Sequence, residues 1–266
     1  MRFLSITSGS SGNCIYIGSD NTHLIIDAGI SGKRIEMGLN NLDICPSDLS
    51  GILVTHEHSD HIASLGVMAR RYNIPIYASS GTIDGIKCAS GLGSIDESLF
   101  CRIEPNNDFT IGDLSIHAHP ISHDANEPVS YRISDTKGRS AGVLTDLGCY
   151  SDDIVESFSG VNSLLIEANH DVNMLQVGRY PYYLKRRILG DCGHLSNESC
   201  GKLLCKLLHD DLNTILLGHL SAENNLPELA YEAVRLEILM GSDEYDPSDF
   251  DLKVASRSEC SNVVCV

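Results

Sequence analysis

A chain of 266 residues, 42% hydrophobic and 21% charged, is long enough to bury a large core without covalent staples. It has no run near the roughly 20 apolar residues of a membrane-crossing helix. Met1-Arg2-Phe3-Leu4-Ser5-Ile6 gives way to Ser and Gly too early for a secretory leader, so a cytoplasmic protein with no membrane association is expected. The net charge of −17 disfavours non-specific binding to nucleic acid or anionic lipid, although metal ions and local Lys/Arg clusters set the field at a site.

Short apolar strands alternate with amphipathic helices, the pattern of α/β layers. Residues 2–7, 14–18 and 23–27 predict an opening strand meander. Residues 52–55 predict a strand that feeds a His-rich run, followed by a helix over 62–71 and a strand over 74–78. Two hairpin strands are expected in 109–119, divided at Gly112-Asp113. Strands 129–134 and 140–145 pair across Asp135-Thr136-Lys137-Gly138, a hairpin turn signal. A buried strand follows at 163–167. Ser196 is a plausible N-cap for a helix whose stripe is Cys200, Leu203, Leu204, Leu207 and Leu208. Strand 214–217 comes next, then a helix opened by Pro227 and closed by Gly241. Two strands, 251–256 and 262–266, end the chain. With no low-complexity linker, residues 1–266 read as a single domain of two face-to-face sheets with helices outside. The ten cysteines lie in apolar segments without a Cys-x-x-Cys pair, so reduced, mostly buried thiols are expected.

The chemistry concentrates in His56-Glu57-His58-Ser59-Asp60-His61. On an extended segment alternate residues point the same way, so His56 and His58 can share one metal ion. Asp60 and His61 fall where the chain turns into a helix and can face a second. Imidazole and carboxylate suit zinc, manganese or iron. Two ions need more ligands, which should sit where other strands end. His123 follows 114–120, Asp146 follows 141–145 and His219 follows 214–218. A carboxylate such as Asp146 can bridge two ions about 3.5–4 Å apart. His117 and His119 lie before the end of their strand and read better as sheet-surface histidines. Gly-His-Leu-Ser occurs twice, at Gly193–Ser196 and Gly218–Ser221. Only the second follows an apolar strand, which makes His219 the ligand candidate and His194 a general-acid candidate.

This ordered set resembles the metallo-β-lactamase fold superfamily over nearly the whole chain. The resemblance runs from Ile26-Asp27-Ala28-Gly29 through the His-x-His-x-Asp-His run, His123 and Asp146 to His219. Ser8-Gly9-Ser10-Ser11-Gly12-Asn13-Cys14, Ile166-Glu167-Ala168-Asn169-His170-Asp171 and the two Gly-His-Leu-Ser segments narrow it to the YycJ (WalJ) group of bacterial hydrolases, relatives of RNase Z. It implies a four-layer αβ/βα sandwich with two mixed sheets and the metals at one edge. His56, His58 and His123 would hold one ion, Asp60, His61 and His219 the other, with Asp146 between them. Asp27 would order the His loop from behind. A 5′-to-3′ exonuclease activity on DNA is implied, and neither an RNase Z-type arm nor an inserted RNA-processing domain is recognisable.

The expected reaction is phosphodiester hydrolysis by two divalent ions and a hydroxide between them, with DNA as substrate and no obligate protein partner. Asp60 would accept a proton and His194 donate one to the leaving oxygen. Glu167 would either orient His194 or only tie down a loop. Candidate substrate contacts are Ser10, Ser11 and Asn13 in the first Gly/Ser loop, and Tyr182, Lys185 and Arg186 in the basic, aromatic stretch Arg179–Arg187. A plain turn and a solvated cationic helix face explain these two segments equally well. The rival readings are a hydrolase of small esters, lactones or cyclic phosphodiesters, and a metal-stabilised binding protein without turnover.

Overall fold

The computed structural model describes residues 1–266. Its strands are β1 (Arg2–Thr7), β2 (Cys14–Gly18), β3 (His23–Ile26), β4 (Leu49–Leu53), β5 (Ile76–Ala78), β6 (Phe100–Arg102), β7 (Asp108–Ile111), β8 (Leu114–Pro120), β9 (Val129–Asp135), β10 (Ser140–Leu144), β11 (Ser163–Glu167), β12 (Thr214–Gly218), β13 (Asp251–Val254) and β14 (Val264–Cys265). Its helices are α1 (Gly32–Asn40), α2 (Ser59–Ile62), α3 (Leu65–Tyr72), α4 (Ser80–Cys88), α5 (Asp152–Phe158), α6 (Val172–Val177), α7 (Tyr182–Ile188), α8 (Asn197–Leu207) and α9 (Pro227–Gly241).

Two seven-stranded mixed sheets form, in the orders β14-β1-β2-β3-β4-β5-β6 and β13-β12-β11-β10-β9-β8-β7. Strand alternation sorts the core into three layers. Ile15 and Ile17 of β2, Leu24 and Ile26 of β3, Leu165 of β11 and Leu216 of β12 meet between the sheets. Tyr16 and Ile25 turn the other way, under α1, α3 and α4. Leu164, Ile166, Ile215 and Leu217 pack outward against α5, α8 and α9. Strands buried on both faces need apolar residues at successive positions, which is why Leu164–Ile166 of β11 and Ile215–Leu217 of β12 are unbroken apolar runs. No helix is long and apolar enough to cross a membrane.

The strands β3 to β6 run parallel, as do β10 to β13. The loops leaving the C-terminal ends of these two parallel halves meet at one edge of the sandwich.

Several expectations need correction. The helix expected over 62–71 is two helices, broken at Ala63-Ser64. There the His61 carbonyl accepts from Ala28 N and Ser64 N donates to Ala28 O, so backbone groups that would continue the helix go to the β3 loop instead. The strand expected at 52–55 begins earlier and stops at Leu53, because Thr55 is already bound to Asp27. The last two strands are shorter than 251–256 and 262–266. All ten cysteines are free, but only Cys14 and Cys200 are buried and five are exposed, since several fall at loop and helix-end positions. Ser196 does cap α8, accepting from Ser199 N.

Candidate dinuclear metal centre

Asp27, Asp146 and His219 each stand one or two residues past a strand, with φ of 63°, 60° and 54°. Left-handed backbone is costly for residues other than Gly, and such strain gathers at functional sites. Gly29 allows a second close approach: a Cβ there would lie 1.6 Å from the Asp60 carbonyl oxygen. The His-rich run therefore lies directly on the loop after β3.

Two donor sets result. The ring nitrogens of His56, His58 and His123 lie within 4.8 Å of one another, as do donor atoms of Asp60, His61 and His219. Asp146 stands between them. Its Oδ2 is 3.2 Å from His61 Nε2, and its Oδ1 is 3.5 Å from His219 Nε2 and 3.7 Å from His123 Nε2. The seven residues expected as ligands are thus brought together, while His117 and His119 stay on β8, where His117 pairs with Asp108 at 2.7 Å.

Most of these histidines are tied back through one nitrogen, leaving the other for the centre. His61 Nδ1 lies 2.7 Å from Asp27 Oδ2, His219 Nδ1 lies 2.7 Å from Glu167 Oε1, and His123 Nδ1 lies 3.1 Å from the Gly193 carbonyl. His56 Nδ1 is 3.0 Å from Thr55 Oγ1. Such partners fix the tautomer and raise ligand basicity. The freed atoms His56 Nε2 and His219 Nε2 are buried without a hydrogen-bond partner. Orphaned buried nitrogens are costly in a finished interior, so the donor set fits divalent cations.

The electrostatics agree. Burial would raise the Asp60 carboxyl, but His61 and His219 hold it far below the usual carboxylate range. Burial likewise opposes charge on His219, yet Asp146, Asp60 and Glu167 push it up to about 10. His56 moves the other way, lowered by burial and by its histidine neighbours.

Beside the centre, Glu167 Oε1 also lies 2.8 Å from His194 Nδ1, and its Oε2 accepts from Leu147 N at 2.8 Å. Burial is outweighed by His194 and His219, and Glu167 is held down at about 2. His194 is raised despite its own burial, chiefly by Glu167. It lines a cleft of about 270 Å³ together with Ser10, Tyr180, Leu184 and Arg187.

The substrate candidates divide. Ser10 and Ser11 are exposed, and Ser10 reaches the cleft. Asn13 is fully buried; its Oδ1 accepts from Gly9 N at 3.0 Å and its Nδ2 is 3.1 Å from His61 Nε2, so it braces the centre from within and has no surface to offer. Lys185 Nζ donates to the carbonyls of Gln176 and Gly178 at 2.7 Å, so its charge is spent on backbone. Tyr182 is 76% exposed, and Arg186 is also exposed; neither borders the cleft. Tyr180, Leu184, Arg187 and Ile188 do, at helical spacing on the opposite face. Thr55, which joins Asp27 to His56 and His61, was not singled out in the sequence; its position directly before the His run is the one available signal.

The family model described as Beta-lactamase superfamily domain matches residues 22–212. The chain is 40% identical over 234 residues to exodeoxyribonuclease YycJ of Bacillus anthracis, covering 88% of each protein. It is 42% identical over 231 residues to exodeoxyribonuclease WalJ of Streptococcus pneumoniae, covering 86% of this chain and 85% of that one. Among solved structures, zinc-bound PqqB of Methylobacterium extorquens matches with a TM-score of 0.72 at 15% identity, over 100% of both chains, a likeness of fold alone.

Proposed function

Because the chain belongs to the metallo-β-lactamase superfamily, and within it to the group of the exodeoxyribonucleases YycJ and WalJ, we propose that it is a metal-dependent DNA exonuclease that releases nucleotides from 5′ ends. The observation that carries this reading is the meeting of two donor sets across Asp146. His56, His58 and His123 would hold one divalent ion, and Asp60, His61 and His219 the other. Zinc or manganese suits the imidazole and carboxylate donors, with iron also compatible. When bound, such ions acidify water and offset charge on phosphoryl oxygens.

The chain's own residues supply the rest. Asp60, beside His61 and His219, accepts a hydrogen bond from the attacking water and passes the proton that the water loses on to bulk solvent. The water oxygen adds to phosphorus as the P–O3′ bond breaks. His194 gives the proton at Nε2 to the departing O3′, while Glu167 holds its Nδ1. Because Glu167 also holds His219, one carboxylate keeps the acid in register with the metal centre.

The test is hydrolysis of a 5′-phosphorylated DNA duplex by protein loaded with manganese or zinc, beside Asp146→Ala. Progressive nucleotide release by the wild type, lost in the variant, supports the reading. No release with either metal, from protein shown to bind two ions, overturns it in favour of a small-molecule hydrolase.

A further inference from the structure

The cleft beside His194 is walled on one side by α7. Its inward residues are Leu184, Arg187 and Ile188, with Tyr180 half-buried just before the helix. Ser10, Asp124 and His194 also line it, and His194 N donates to the Ile188 carbonyl at 3.0 Å, so the His194 segment lies against the end of α7. At about 270 Å³ it is close to the smallest volumes that take a whole small molecule, roughly 300 Å³. That is the scale of one nucleotide.

The Arg187 guanidinium is fixed before any ligand arrives. Its Nε donates to Asp124 Oδ2, and its Nη2 donates to Asp124 Oδ1 at 3.0 Å. This uses one edge of the fork, and the side chain remains 54% exposed. Asp124 Oδ1 is in turn 3.5 Å from His123 Nε2. The cation therefore stands two short contacts from the metal centre, on the cleft side. Arg187 is the one Lys or Arg on the cleft wall; Asp124, which also lines the cleft, offsets its charge, but the free edge of the fork is left to meet an anion. A planar fork with a free edge suits phosphate in particular.

We propose that this cleft seats the terminal nucleotide, with Arg187 binding its 5′-phosphate and Tyr180 packing against its sugar or base. The inference rests on the nuclease reading above. Cleaving P–O3′ leaves O3′ on the terminal nucleotide, so that nucleotide must lie on the side of the acid that protonates it. His194 lines this cleft, and Arg187 is the one Lys or Arg that lines it too, so it is the group there able to meet the nucleotide's 5′-phosphate. The cleft thereby sets both the end from which the strand is consumed and the length of the product.

The test pairs turnover with binding. Metal-loaded wild type, Arg187→Gln and the outward-facing control Arg186→Gln are given DNA with a 5′-phosphate or a 5′-hydroxyl, and dAMP binding is measured by calorimetry. Arg187→Gln should lose the preference for the 5′-phosphate and weaken dAMP binding by about ten- to a hundred-fold, while Arg186→Gln changes neither. Arg187→Lys keeps the charge without the fork and should restore only part of the affinity. If Arg187→Gln binds dAMP as the wild type does, the inference falls whatever the DNA shows. Equal effects from Arg186→Gln and Arg187→Gln also overturn it, since they would mean a diffuse field and no clamp. If the wild type degrades no DNA but dAMP binding still depends on Arg187, the nuclease reading fails and the phosphate site stands.

Discussion

The carboxylate of Asp27 lies 2.7 Å from Nδ1 of His61, and both side chains are shut away from water. Asp27 also accepts from Thr55 N and Thr55 Oγ1, each at 2.9 Å. It fixes the tautomer that leaves His61 Nε2 facing the centre. Asp27→Asn keeps the shape and tolerates the left-handed backbone, but removes the charge. We expect divalent-ion affinity to fall by about 10- to 100-fold, measured by competition with a chromophoric chelator. Unchanged affinity would reduce Asp27 to a folding role.

A general acid is exposed by its leaving group. His194 donates to an O3′ that departs poorly without a proton, whereas p-nitrophenolate departs unaided. His194→Ala should therefore lose about 10²- to 10⁴-fold in DNA turnover, yet change little on bis(p-nitrophenyl) phosphate. An equal loss on both substrates would place His194 among the groups that hold the metal centre, as its closeness to Asp146 at 3.7 Å would allow.

How far such roles were legible in the sequence depended on where the side chains sit along the chain. His56 to His61 declared themselves because four donors fall within one run of six residues just past a strand. His123, Asp146 and His219 were legible by position, each just past an apolar strand. Asn13 was a candidate because a Gly/Ser loop can offer backbone N–H groups to a phosphate, and only the fold reveals that its N–H is given to the Asp60 carbonyl and its side chain is pressed against His61. In α7 both faces carry aromatic and basic side chains and no residue is buried, so no apolar stripe set the phase. The choice of Tyr182 and Arg186 over Tyr180 and Arg187 follows from that. Helix α1 escaped notice for a similar reason: it buries only Ile35, Gly38 and Leu39.

Metal loading should release protons. With burial opposing, Asp146 and the neighbouring carboxylates hold His219 protonated up to about pH 10 and raise His61 well above its ordinary value. Both rings must be neutral to ligate. At pH 7.5 ion binding should expel about two protons, read as the dependence of calorimetric enthalpy on the ionisation enthalpy of the buffer. His56, already neutral, adds none. A buffer-independent enthalpy would contradict this charge arrangement.

Acid should destabilise the fold partly through His170. It is 1% exposed, its Nδ1 lies 3.3 Å from Asn169 Oδ1, and its Nε2 has no partner. Burial lowers it to about 4, despite the opposing pull of Glu167. The unfolded chain takes up a proton near pH 6.5, while the folded chain refuses it until about pH 4. Stability from this group is therefore whole above pH 6.5, declines as pH falls through that window, and is constant below it. The loss is about 3 kcal/mol at most. His170→Gln removes the titration, so in metal-free protein urea unfolding at pH 7.5 and pH 5 should show the wild type losing more stability than the variant. A parallel decline in the two proteins would mean that His170 takes up its proton equally in the folded and unfolded chain.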